Sequence, residues 1–109
     1  MSYRENMVYS AKFGITDTTF TVSSSIDVYG INTQGGAVTA TLPAAASVAQ
    51  YKSYTFKDSG ANSGTNNITI DGAGAQTIDG QATQTISTNG GALTIISDGG
   101  GWQILSKYP

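Results

Sequence analysis

From Thr18 onward, apolar and polar residues alternate in short runs, and none of the runs keeps a helical period. Thr18–Ser24 places Phe20 and Val22 on one face. Ile26–Thr33 sets Ile26 and Val28 against Asp27 and Tyr29. Ala37–Pro43 turns Val38, Ala40 and Leu42 inward, and Pro43, lacking the N–H that a ladder needs, ends the strand. Ser53–Ser59 puts Tyr54 and Phe56 on one face and Thr55 and Lys57 on the other. Asn67–Asp71 points Ile68 and Ile70 inward, and four further Thr/Ile-rich runs reach Lys107. Ala44–Tyr51 is the only stretch with helix-forming composition. It is short and uncapped, which predicts a helical turn or a loop.

Turn signals separate these runs. Gly35-Gly36 closes one pair, and Gly60–Asn67 is a long loop. Asp71-Gly72, Asp79-Gly80 and Asp98-Gly99 each suit a tight turn, because Gly tolerates positive φ and Asp can bond its own backbone. Thr-Ile recurs at Thr69, Thr77 and Thr85, at one constant interval (77 − 69 = 85 − 77), and again slightly late at Thr94. A strand of about five residues plus a tight turn has this spacing. The expected fold is all-β: a small antiparallel β-sandwich or barrel of jelly-roll type over residues 18–109. An extended N-terminal arm, residues 1–17, precedes it. So short a repeat cannot complete a full β-helix coil, whose units run to roughly 20 residues or more. Solenoid-like stacking remains the alternative.

One domain is the natural expectation for 109 residues. The hydrophobic content of 39% is rich in Ala and Val, so the core is thin and burial between subunits would add to it. Charged residues are only 11%, against roughly 25% in ordinary soluble domains. The surface is therefore polar and weakly charged, as on many extracellular and virion proteins. The net charge is −2, and Arg4, Lys12, Lys52, Lys57 and Lys107 are scattered rather than clustered. That argues against nucleic acid as a partner. No apolar run has the length of a membrane helix, and the first residues do not read as a secretion signal.

Ordinary catalysis has little to work with. The chain has no His and no Cys, which removes the commonest general base, the thiolate nucleophile and the commonest metal ligands. No cofactor or metal site is expected. Asp71 and Asp79 could come close at one end of a meander, as the carboxylate pair of a glycosidase would need, but Asp before Gly is ordinary turn chemistry. Asp58, Gly60, Asn62 and Gly64 lack the ligand pattern of a calcium loop. Gly99-Gly100-Gly101 precedes a strand rather than a helix and offers no phosphate cradle. Trp102 suits either a sugar-binding face or the end of the core, with the core favoured. Tyr3, Tyr9, Tyr29, Tyr51, Tyr54 and Tyr108 suit interfaces, where an apolar ring and a hydrated hydroxyl both find use.

From Val28 to Leu105 the chain resembles a β-rich module of tailed-bacteriophage structural proteins, which include capsid decoration (cement or head-fibre) proteins and distal parts of tail fibres. The residues that carry the resemblance are VYGINTQGGAVTATLPAAASVAQYKSYTFKD, GTNNITIDG, QTIDG and GALTIISDGGGWQIL. It implies a small all-β subunit that forms a homotrimer on a virus particle, with no catalytic residues to carry over. A tail fibre usually has a long shaft ahead of such a module, whereas here the resemblance already begins at Val28. The expectation is therefore a capsid decoration protein on the outer surface of the virion. It would bind the major capsid protein shell and stabilise it, with Tyr3, Arg4, Met7, Val8 and Tyr9 of the arm as the contact residues. The alternative is a receptor-binding tip that recognises host glycans through Trp102, Tyr29 or Tyr51.

Overall fold

The computed structural model of the chain describes residues 10–109. Nine strands follow one another: β1 Ala11–Ile15, β2 Thr19–Thr21, β3 Val28–Ile31, β4 Val38–Thr41, β5 Ser53–Asp58, β6 Ile68–Asp71, β7 Thr83–Ile86, β8 Ala92–Ser97 and β9 Trp102–Tyr108. The one helical element among the described residues is a 3₁₀ turn at Ala45–Ser47, inside the Ala-rich stretch that sequence limits to a turn. The fold is all-β, as expected.

The strands form a five-stranded sheet, β1-β3-β5-β8-β9, and a four-stranded sheet, β2-β4-β6-β7. The first six alternate between the two sheets, so each successive pair makes one turn of a flattened coil. Neighbouring turns stack in parallel: β1 on β3 on β5, and β2 on β4 on β6. Only the C-terminal part is antiparallel, with β7 returning on β6, β8 on β5, and β9 on β8. The expected antiparallel, jelly-roll arrangement is thus replaced by mixed sheets whose N-terminal half winds like a short solenoid. The turns are unequal. Thr19 pairs with Thr39 and Val38 with Ile68, and the second separation is half as long again as the first (68 − 38 against 39 − 19). Fixed periodicity is lost, and with it the sequence signal of a coil. The regular Thr-Ile interval belongs elsewhere, because Thr69 and Thr85 are direct partners across the β6–β7 pair.

The core lies between the sheets. Tyr29, Ile31, Tyr54, Phe56, Leu93, Ile95 and Trp102 face Val38, Ala40, Leu42, Ile68, Ile70 and Ile86, all buried. The aromatic rings form a connected row: Tyr29 and Phe56 stack at 5.5 Å, Tyr29 meets Tyr54 at 6.3 Å, and Tyr54 meets Trp102 at 5.6 Å. Val38, Ala40, Leu42, Tyr54, Phe56, Ile68 and Ile70 face inward as their alternation predicts. β3 takes the opposite phase. Tyr29 and Ile31 are buried there and Val28 is only half-buried, so an amphipathic ring displaces the smaller Val from the core.

Part of the segment expected as an arm lies within the sheet: Ala11–Ile15 is the edge strand β1. Between Lys12 and Ile15 it carries one residue more than β3, a bulge containing Gly14 at φ 85°. Ser10 anchors its start, because the Ser10 carbonyl accepts from the N–H groups of Asp27 and Val28.

Candidate assembly surfaces

The two sheets present unlike outer faces. Outward positions of the five-stranded sheet are fixed by register. One row runs Val28, Thr55, Thr94, Ser106, and the next runs Gly30, Lys57, Ala92, Tyr108. Ser53, Ile96 and Gln103 make a third. The centre of this face mixes Val28, Ala92 and Ile96 with Ser53, Thr55, Thr94 and Lys57. At one edge the Phe13 ring lies over Gly30, so closely that a Cβ there would overlap it, yet Phe13 stays 57% exposed. At the other edge Tyr108 is 68% and Leu105 60% exposed. Leu105 is the extra residue of a β9 bulge, since Ile104 pairs with Ile95 and Ser106 with Thr94. Large exposed groups at both edges thus flank a strip of mixed polarity.

On the four-stranded sheet the outward positions are Thr19, Thr39, Thr69 and Thr85 in one row and Thr21, Thr41, Asp71 and Thr83 in the next. Sequence reading assigned the inward residues of these strands and passed over the outward ones. The signal that would have found them is the recurrence of Thr-x-Thr at 19–21, 39–41 and 83–85, with Thr-x-Asp at 69–71.

Most of the acidic residues that invited a catalytic reading hold the backbone. Asp58 is buried and accepts from the N–H groups of Gly60, Ser63 and Gly90 at 3.2, 2.9 and 3.0 Å. Burial works to raise its pKa, but the donors from Ser63 and Gly90 outweigh it and hold the carboxyl below the usual range. The loop that lacks a calcium-binding pattern is thereby an anchored turn. Asp98 accepts from Gly100, Gly101 and the Gln103 amide, and these bonds lower its pKa, Gly100 first. Asp79 sits at φ 49° in the Ile78–Gln81 hairpin turn and accepts from Ile104 N–H. Asp71 lies in β6 opposite Thr83, on the outer face. Asp27 pairs with Lys52, whose hydrogen bond depresses the Asp27 pKa. Lys52 also stands 5.3 Å from the centre of the Tyr54 ring.

A cleft of about 500 Å³ opens beside the two turns, lined by Thr77, Asp79, Gly80, Asp98, Trp102 and Gln103 among others. Its aromatic residue is only 2% exposed and packs against Tyr54, so Trp102 fills the end of the core. Tyr29 is buried as well, and Tyr51, at φ 68° in a turn, is the one glycan candidate with an open ring. Tyr3, Arg4, Met7, Val8 and Tyr9 lie outside the described residues. Among the described residues no three His, Cys, Asp or Glu gather as metal ligands would, and no helix is long and apolar enough to cross a membrane. The chain matches no protein-family model and no curated protein.

Proposed function

We propose that this chain is a virion structural protein, a capsid decoration subunit that acts as a homotrimer and grips the outside of the major capsid protein shell. The observation that carries this reading is the outer face of the five-stranded sheet, where exposed Phe13, Leu105 and Tyr108 flank a strip in which Val28, Ala92 and Ile96 stand beside Thr55, Lys57 and Thr94. Burying such a face between copies supplements a thin core at about 25 cal/mol per Å² of apolar surface. The carboxylates Asp58, Asp79 and Asp98 are committed to turns, which supports work by contact rather than by bond cleavage.

Tyr3, Arg4, Met7, Val8 and Tyr9 supply the capsid contact in this reading. They directly precede Ser10 and the edge strand β1, so the sheet delivers them from a fixed point. Many copies on one shell make weak individual contacts sufficient. The test is a deletion of residues 1–9, which spares the Ser10 carbonyl that β3 uses. The truncated chain should keep its trimer mass and its melting temperature and should fail to co-sediment with expanded capsids. Undiminished capsid binding would remove the arm from the interface, and a monomeric parent chain would remove the trimer.

A further inference from the structure

Asn89-Gly90 is the one Asn-Gly pair in the sequence. It lies in the turn between β7 and β8, with Asn89 exposed and Gly90 at φ 78°. An asparagine before glycine is prone to lose its side-chain amide, because no side chain shields the glycine nitrogen from the asparagine Cγ. Here both reacting groups are held. Gly90 N–H donates to Asp58 Oδ2 at 3.0 Å, and Asn89 Oδ1 accepts from Gly64 N–H at 2.8 Å.

The same carboxylate oxygen guards a second position. Asn62 precedes a small residue, Ser63, and Ser63 N–H also donates to Asp58 Oδ2, at 2.9 Å. The other described asparagines precede Thr33, Asn67 and Ile68, whose side chains crowd the attacking nitrogen. Ser63 Oγ in turn donates to the Thr88 carbonyl oxygen at 2.7 Å. The 60–66 loop and the 88–90 turn therefore close on each other through Asp58, Ser63 and Gly64. Groups so shared open together, as one local unit.

We infer that Asn89 is a site of spontaneous covalent modification and that the clasp around Asp58 is the latch that keeps it unreacted. In the reaction the Gly90 main-chain nitrogen attacks Asn89 Cγ and gives up its proton. The bond from Cγ to the side-chain nitrogen breaks, and ammonia leaves with that proton, which closes a five-membered imide. Water then opens the imide, at Cγ to give aspartate or at the main-chain carbonyl to give isoaspartate. Asp58 opposes the first step twice. Its bond fixes the nitrogen, and its negative charge disfavours loss of a proton beside it. Gly64 N–H holds the side-chain oxygen, so the amide is not free to swing into attack. Either product weakens the clasp that prevented it. Aspartate sets a second negative charge close to Asp58, and isoaspartate lengthens the main chain by one carbon and shifts Gly90 N–H from its acceptor. The latch thus opens one way. This inference does not depend on the capsid reading.

The experiment holds the full chain in mildly alkaline buffer, native and in concentrated urea, and follows Asn89 by peptide mass mapping, with isoaspartate resolved from aspartate by retention time. Conversion should run slower in the native chain by about tenfold or more. Asp58→Asn, shown by a circular-dichroism melt to be folded under the same conditions, should bring Asn89 toward the urea rate. Should it not fold, Ser63→Ala removes the bond to Thr88 and must still quicken Asn89. Ile95→Val lowers stability from within the core, leaves the clasp intact and must keep the native rate. Converted chain, separated by ion exchange, should melt below its parent. The proposal is overturned by no conversion in urea, by equal rates in buffer and urea, by the native rate in a folded clasp variant, by equal quickening in Ile95→Val, or by an unchanged melt of the converted chain.

Discussion

Asp58 joins three segments that are distant in sequence, the end of β5, the 60–66 loop and the Thr88–Gly91 turn, through one buried carboxylate. Replacing it with Asn keeps the volume but turns an amide donor toward main-chain donors. Asp58→Asn should cost about 2–3 kcal/mol, the range for losing charge-assisted bonds at a buried site, measured by urea denaturation at neutral pH. The native carboxyl titrates below its unfolded value of about 3.9. Its stabilisation is therefore complete above that value and is lost as pH falls toward and through the native pKa. The variant should show a flatter acid limb over that window. Tyr54 gives the opposite limb. Burial pushes its hydroxyl up to about 12, and the hydroxyl has no protein hydrogen-bond partner among the described residues. A raised native pKa means stability that is whole below about pH 10, the unfolded value, and lost as pH climbs through the native one. Tyr54→Phe should raise neutral-pH stability by up to about 1 kcal/mol and soften the alkaline loss. Equal or lower stability of Tyr54→Phe in a melt would show that the hydroxyl is satisfied.

The elements show where backbone crowding decides. Gly30 and Gly72 are both buried positions that a Cβ would overfill, the first against the Phe13 ring and the second against the Gln76 carbonyl oxygen. The first obstacle is an exposed side chain that can swing away, and the second is main chain. Gly72→Ala should therefore destabilise more than Gly30→Ala, by about 1–2 kcal/mol, with chemical denaturation as the readout. Gly72 also marks a limit of sequence reading. Asp71-Gly72 scans as a tight turn, but Asp71 pairs with Thr83 in the ladder and Gly72 N–H continues it to the Ala82 carbonyl. The positive φ of that bend falls at Gly74 instead. Asp79-Gly80 and Asp98-Gly99 do turn where they were expected to. Inward residues of β4, β5 and β6 were legible because alternation depends only on one buried face. Sheet membership was not, since parallel stacking depends on long-range pairings whose separation changes from turn to turn, as Ala11 with Val28 and Val38 with Ile68 show. The Ala-rich stretch and the 60–67 loop lengthen the later turns of the coil and hide the repeat. The candidate site was legible only as residue types, because which side chains share an outer face follows from that same stacking.

At the scale of the whole molecule, a flattened coil gives two broad outer faces that share one core and no surface residues. One mixes apolar and polar side chains between bulky edges, and the other is lined by threonine. The core between them is continuous, so a substitution that unfolds the chain would abolish every function at once. A surface substitution that leaves the melt unchanged must act through its own face, because distant sites without shared partners behave additively. Ile96→Lys places a second charge, in addition to Lys57, on the outer face of the five-stranded sheet, between Ser53 and Gln103, where an unpaired buried charge in an interface is costly. With the proposed trimer built on this face, the substitution should reduce the mass in light scattering toward that of the 11.2 kDa chain. Thr39→Lys with Thr69→Lys, on the other sheet, should leave that mass unchanged. If the threonine pair lowered the mass while its melt stayed level, association through the four-stranded sheet would have to replace the proposed interface.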